Sequence, residues 1–195
     1  MGESTDQAAI RCTAFNSANC VASGDLREVV VKVKAVLDAD PSAHILIFND
    51  LSGDLVDFDF RGTAAEIARR AESMAVPPTP PRGPGRPRLG VVAREVTLLP
   101  RHWDWLATQP GGASVALRRL VEEARRTSGG KDRVRRSQAA AYKFMVAMAG
   151  DAPGFEEATR ALFAGNIGRF NMLVEPWPAD VRDHARALAT GAFPV

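Results

Sequence analysis

Residues 76–90 read Val76-Pro77-Pro78-Thr79-Pro80-Pro81-Arg82-Gly83-Pro84-Gly85-Arg86-Pro87-Arg88-Leu89-Gly90, with six prolines and three glycines in fifteen positions. Proline removes an amide donor and fixes φ, and glycine offers no side chain to pack. Neither a helix nor a central strand can run through such a stretch. It is a semi-rigid spacer that divides the chain. The patterns on its two sides differ and together predict an α+β fold: a small N-terminal α/β domain, this Pro/Gly/Arg hinge, then a strand followed by an all-helical C-terminal domain.

On the N-terminal side, residues 63–75 carry a helix opened by a capping box, Thr63 with Glu66 three positions on. Residues 55–60 alternate like a half-buried strand, Leu55 or Val56, Phe58 and Phe60 set against Asp57 and Asp59. Residues 49–54 turn the chain, and His44-Ile45-Leu46-Ile47-Phe48 is the run of a buried strand. Asp25 caps a helix to about residue 38 whose apolar stripe is Val29, Val30, Val33, Val36 and Leu37. Two short strands over 11–21 flank the turn Asn16-Ser17-Ala18-Asn19. These elements make a small acidic domain over 10–75, and residues 1–9 are read as a disordered N-terminus.

On the C-terminal side, residues 91–127 predict a strand-helix-helix block. It runs as a strand over 91–99, Pro100 at a helix start, and a short helix over 101–108 with Trp103 and Leu106. After a break at Gln109-Pro110-Gly111-Gly112, a second helix extends from a Ser114 cap to about residue 126. That helix is expected to bury Leu117, Leu120, Val121 and Ala124, and to form Arg118–Glu122, Arg119–Glu123 and Glu122–Arg126 pairs outside. Residues 128–195 read as a helical domain. Its segment 137–149 is apolar nearly all round and so is expected to be central, and helices follow at 155–164, 167–174 and 179–189. Gly165, Pro176 and Pro178 separate them, and Phe170 and Trp177 read as core residues.

Charge is divided as sharply as structure. Residues 1–76 hold 7 Lys/Arg and 12 Asp/Glu, residues 77–150 hold 14 and 5, and residues 151–195 hold 4 and 6. A cationic block beside an arginine-bearing hinge is the electrostatic footprint of a polyanion partner. A pure spacer needs no arginine at 82, 86 and 88. Glycine lets the backbone approach a surface closely, proline presets an extended path, and arginine is the cation that narrow A·T-rich minor grooves attract.

Other classes find less support. The three histidines, His44, His102 and His184, lie in unrelated contexts, and no serine elbow, phosphate-binding glycine loop or HExxH occurs. An enzyme is therefore not expected, nor is a cofactor. Asp50, Asp54, Asp57 and Asp59 lack the spacing of an EF-hand, and Cys12 and Cys20 lack the company of a zinc site, so no metal is expected and both cysteines read as small buried residues. No apolar run reaches membrane-spanning length, and the first ten residues lack the basic and apolar regions of a signal peptide, which points to the cytoplasm and no membrane partner.

Thr97-Leu98-Leu99-Pro100 entering a helix, the Gly111-Gly112 break and the helix of Ser114-Val115-Ala116-Leu117-Arg118-Arg119-Leu120-Val121 make the central block similar to a ribbon–helix–helix DNA-binding module. The resemblance implies two chains pairing their strands in a major groove, with a phosphate at the N-terminus of the second helix. The strand's outward side would be either Glu95, Thr97 and Leu99 or Arg94, Val96 and Leu98, and neither set offers a run of base-reading donors. Gly85-Arg86-Pro87 followed by Arg88 is similar to an AT-hook, with Pro84 where that motif carries arginine. Over nearly its full length the chain also resembles a bacterial family catalogued as domain of unknown function 2239, on GRPRLGVVAREVTLLPRHWDWLATQPGGASVALRRLVEEARR and WPADVRDHA. That resemblance implies a bacterial, cytoplasmic protein.

The expectation is a non-enzymatic DNA-associated protein, a transcriptional regulator or nucleoid-type factor. Its binding residues would be Arg82, Gly85, Arg86, Pro87 and Arg88 in the arm, Arg94, Thr97 and Ser114 in the strand-helix-helix block, and Arg133, Arg135 and Arg136 beyond it. It would act as a homodimer with an A·T-rich preference. The rival expectation is a protein-interaction adaptor whose arginine-rich centre meets an acidic partner or the chain's own acidic N-terminal domain.

Overall fold

Ser17 adopts a left-handed φ of 52° and turns strand β1, Arg11–Asn16, back into strand β2, Asn19–Asp25. In the computed structural model, which describes residues 10–75, 92 and 94–193, this hairpin starts an α+β fold. Strand β3, Ile45–Asn49, pairs antiparallel with the other edge of β1, giving the order β2-β1-β3. β1 is thus central, and Cys12, Thr13, Ala14 and Phe15 are all buried. Its period-two pattern is hidden because both faces of the sheet are covered.

One face is covered by helix α1, Leu26–Ala39, and helix α2, Ala64–Ala75. Leu26, Val29, Val30 and Val33 of α1 and Ile67 and Ala71 of α2 pack with Cys12, Ala14, Ala22 and Ile47. The capping box that starts α2 is formed as expected: the Thr63 N–H donates to Glu66 Oε2 at 2.8 Å, and the Glu66 N–H donates to Thr63 Oγ1 at 3.3 Å. Asp25 stands at the N-cap of α1, but its side chain makes no capping bond.

The opposite face presents Phe15 and Phe48 to helix α4, Gly112–Ala149, and to helices α5, Phe155–Phe163, α6, Ile167–Val174, and α7, Ala179–Ala189. Phe15, Phe48 and Phe144 form an aromatic cluster with ring centroids 4.9 to 6.1 Å apart. Each such ring, fully buried, contributes about 1.5–3 kcal/mol by area alone. The turn after β3 seats directly on α4: buried Gly53, at φ 69°, lies where a Cβ would strike the Ala140 carbonyl, and Lys143 Nζ donates to Asp54 Oδ1 at 2.6 Å. Phe170 and Trp177 are core residues, and the Trp177 indole N–H donates to the Pro153 carbonyl at 3.0 Å.

The chain divides into two units, residues 1–78 with 132–195, and residues 79–131. The sheet, α1, α2, the part of α4 from Asp132 onward and α5 to α7 belong to the first. The second contains helix α3, Pro100–Ala107, with proline in its first turn, and the beginning of α4.

Several expectations are corrected. Residues 94–99 form no strand, so the strand expected at the head of the second half is absent among the described residues. They find no ladder partner, and a β-rich composition alone forms no sheet. Residues 55–60 alternate in burial as expected, yet only Leu55 bridges to Phe48, so this too is not a strand. β3 is an edge strand with Leu46 exposed, where a buried strand was expected. The helix expected to end near residue 126 continues through Gly129-Gly130 to Ala149, because a glycine costs only about 1 kcal/mol in a helix that good formers extend on both sides. Over 137–149 that helix is not surrounded: Ala140, Ala141, Phe144 and Met145 are buried, while Tyr142 and Val146 are exposed. Cys20 is exposed, because the register sets it opposite Phe15 beside the hairpin turn. Both cysteines are free. Residues 1–9 and the hinge 76–90 lie outside the described residues.

Candidate nucleic-acid interface

Gly111 and Gly112 take φ of 80° and 76°, and the Gly112 N–H donates to the Gln109 carbonyl at 3.0 Å. The chain turns on these glycines and enters α4 two residues before Ser114. Ser114 therefore lies inside the first turn and is not the cap. Its carbonyl accepts from Arg118 Nε at 3.1 Å. From there to Arg136, α4 carries eight Lys/Arg and three Asp/Glu.

At about 3.6 residues per turn, Arg118, Arg119, Arg125 and Arg126 of the second unit fall within about a third of the helix circumference, over a length of about 12 Å; Arg133 and Arg136 lie on the part of α4 that belongs to the first unit. All six are exposed. Few are engaged by acids. Arg125 Nη1 meets Glu122 at 2.9 Å and Arg135 pairs with Asp132, while Arg136 Nε donates to the Asp132 carbonyl at 3.3 Å. The expected pairs Arg118–Glu122, Arg119–Glu123 and Glu122–Arg126 are absent among the described residues. Glu122 instead takes the i,i+3 partner, Arg125.

The sequence-predicted site residues are thus scattered. Arg133, Arg135, Arg136 and Ser114 share α4. Arg94 and Thr97 are exposed in a segment without regular structure. Arg82, Gly85, Arg86, Pro87 and Arg88 lie outside the described residues. The i,i+4 rule makes Arg118, Arg119 and Arg126 ordinary surface pairs and leaves Arg125 as a cation near a helix end, so sequence reasoning misses these four as a group. Their seven-residue recurrence, Arg118 with Arg125 and Arg119 with Arg126 and Arg133, is the signal that sets them in one row.

The apolar side of this half of α4 is also not where the sequence put it. Ala116 is buried and Leu117 half-buried, but Leu120, Val121 and Ala124 are exposed, as are Val96, Leu99, Trp103 and Trp105.

The first unit holds a titratable pair that sequence reasoning did not find. His184 of α7 stacks edge-on against Phe15 and Phe144, with Nε2 3.7 Å from Asp50 Oδ1. That is an ion-pair distance too long for a hydrogen bond, and neither atom has another partner among the described residues. Burial lowers the His184 pKa and the Asp50 charge works against that shift. Four residues before His184, Asp180 accepts the Cys20 backbone N–H at 2.7 Å. Burial, then the charge of Asp50, pushes the Cys12 thiol up to about 11; burial, then Asp180, raises Cys20, so both stay protonated near neutrality. Among the described residues no three His, Cys, Asp or Glu side chains converge to hold a metal ion, and no helix is long and apolar enough to cross a membrane.

Residues 11–189 match the profile of a family described as an uncharacterized protein conserved in bacteria (DUF2239). The chain belongs to that family. No curated protein and no solved structure matches it. The match to DUF2239 runs from β1 through α7.

Proposed function

We propose that this DUF2239 protein is a non-enzymatic DNA-associated protein, a transcriptional regulator or nucleoid-type factor of the bacterial cytoplasm that acts as a pair of copies. The observation that carries the reading is the row of exposed arginines along α4, which few acidic side chains neutralise. A duplex presents one negative charge per about 1.7 Å of axis, so Arg118, Arg119, Arg125 and Arg126, within about 12 Å of helix, meet several phosphates at once. The arm at Arg82, Arg86 and Arg88 adds minor-groove contact and a preference for A·T-rich sequence. Base reading by a major-groove ribbon forms no part of the proposal, because residues 94–99 form no strand.

The test is affinity for A·T-rich and G·C-rich duplexes over a salt series. The proteins compared are the intact chain, Arg86→Ala, and the triple variant Arg119→Gln/Arg126→Gln/Arg133→Gln. Binding with a steep salt slope that the triple variant flattens supports the α4 row. An A·T preference that Arg86→Ala removes supports the arm. No binding at about 50 mM salt, where basic proteins bind best, overturns the DNA reading.

A second reading, an adaptor for an acidic protein, is favoured by exposed Leu99, Trp103 and Trp105 in the same unit as Arg118, Arg119, Arg125 and Arg126. Aromatic residues with arginine are the usual anchors of protein interfaces. In the salt series, that reading is the one left standing if duplexes do not bind.

A further inference from the structure

Strand β3 leaves part of its outer edge unpaired. The Ser17 N–H donates to the His44 carbonyl at 3.4 Å and the Asp50 N–H to the Arg11 carbonyl at 2.9 Å, so the even-numbered residues of this stretch turn their backbone groups toward β1. The odd-numbered residues turn theirs outward. Asn49 and Ile47 use them: the Asn49 N–H donates to the Asp54 carbonyl at 2.9 Å, and the Ile47 carbonyl accepts from the Val56 N–H at 2.8 Å. Beyond Val56 the chain peels away from β3, because Phe58 and Phe60, ring centroids 5.0 Å apart, pack on the core beneath α1 and α2. Ile45 therefore directs an N–H and a C=O outward that find no partner among the described residues. The gap left between β3 and residues 55–60 is a groove of about 390 Å³. Leu37, Ile45, Leu55, Val56, Phe58 and Phe60 line it, and Asp57 is the one charged side chain among its lining residues. All of these residues belong to the first unit.

We propose that this groove binds an extended peptide of a partner protein, which adds a strand at Ile45, lays apolar side chains in the groove and carries a lysine or arginine toward Asp57. The free main-chain groups set the class of ligand. One residue of an antiparallel strand offers an acceptor and a donor at the spacing of the Ile45 N–H and C=O, so both bonds form together. An acyl chain or a plain aromatic ring would cover the same apolar walls and leave both groups desolvated and unpaired, which is costly. Successive side chains of the added strand point to opposite faces, one set toward Ile45, Phe58 and Phe60 and the other toward Leu46 and Leu55. Charge then sets the composition. Residues 10–75 hold 7 Lys/Arg and 10 Asp/Glu, so joining β3 to the β3 of a second copy would bring two acidic domains together, like charges that oppose the contact. A cationic, apolar peptide meets the opposite sign at Asp57.

The test is a titration of the full chain with the synthetic peptide acetyl-Lys-Val-Thr-Leu-Val-Lys-amide at low ionic strength, followed by amide nuclear magnetic resonance. The Ile45 amide is expected to shift and to gain protection from hydrogen exchange, together with shifts at residues 55–60. A version N-methylated at its four inner residues keeps the side chains and loses their N–H donors, and it should bind about tenfold more weakly or worse. Replacing both lysines of the peptide by glutamate should weaken binding about two- to fivefold, and Asp57→Lys, at an exposed position, should reverse that order. Equal binding of the N-methylated peptide with the Ile45 amide unmoved would overturn strand addition, and binding indifferent to charge would overturn the role of Asp57. An Ile45 amide that shifts with protein concentration in the absence of peptide would overturn the choice of occupant in favour of a second copy. An unchanged spectrum at about 1 mM peptide would overturn the site.

Discussion

The two halves of α4 share one backbone and little else. From Ala140 onward the helix buries Ala141, Phe144, Met145 and Ala149 against the sheet and the C-terminal helices. Before Asp132, the described residues of the second unit bury only Leu106 and Ala116 among their hydrophobic side chains, and Val96, Leu99, Trp103, Trp105 and Val121 are exposed. One half is held by an interior and the other by helical hydrogen bonds and little packing. Exposed apolar groups together with exposed arginines are the surface that the proposed binding would use. The packed core is thus concentrated in the first unit, and Arg118, Arg119, Arg125 and Arg126 stand exposed in the second.

Breaking the interior should have the largest effect. Phe144→Ala, which removes a ring touching Phe15, Phe48 and His184, is expected to lower unfolding free energy by about 3–5 kcal/mol in denaturant titration. Gly53→Ala should be of similar gravity, since it adds a strained φ and a clash with the Ala140 backbone that no side-chain rotation relieves. A comparable truncation in the other half, Val121→Ala, should change the stability of the isolated chain by no more than about 0.5 kcal/mol. Were Val121→Ala as damaging as Phe144→Ala, the contrast between the halves would fail.

Proton uptake sharpens the same contrast with a smaller effect. The unfolded chain protonates His184 near its ordinary pKa of about 6.5. Burial holds the folded value lower, so stability is lost as pH falls through the unfolded value toward the folded one. The denaturation midpoint should therefore drop between pH 7 and pH 5, and His184→Phe should flatten that dependence.

At the junction of the halves, Gly129→Ala and Gly130→Ala should each stabilise α4 by about 1 kcal/mol, read as a gain in helical ellipticity. A Cβ at either position meets nothing within 4 Å. A loss on substitution would mean that the glycines serve a bend that the helix needs.

Local rules carried much of the fold. The Thr63–Glu66 box, the Asn16–Asn19 turn and the helices bounded by Gly165 and Pro178 are written in neighbouring residues, and each was found where its own chemistry places it. What resisted sequence reading depends on partners. The apolar stripe Leu117, Leu120, Val121 and Ala124 looked like a buried face because amphipathicity reports that a face needs cover, not that the same chain supplies it. Residues 94–99 have strand composition, but a strand also needs a neighbour to bond. His184 and Asp50 are 134 positions apart, and only the docking of α7 on the sheet brings them together. The recurrence of Arg118 with Arg125 and of Arg119 with Arg126 was present in the spacing, but i,i+4 pairing rules drew Arg118, Arg119 and Arg126 toward glutamates, of which the described residues pair only Glu122, with Arg125.

The bond from the Cys20 amide to Asp180 has a consequence of its own. β2 is an outer strand, and its unpaired amides are the kind of edge on which foreign strands stack into aggregates. A carboxylate from the start of α7 occupies one of those amides and sets a negative charge beside it. Helix α7 thus acts as a stopper on the margin of the first hairpin, at the amide where a foreign strand would have to pair.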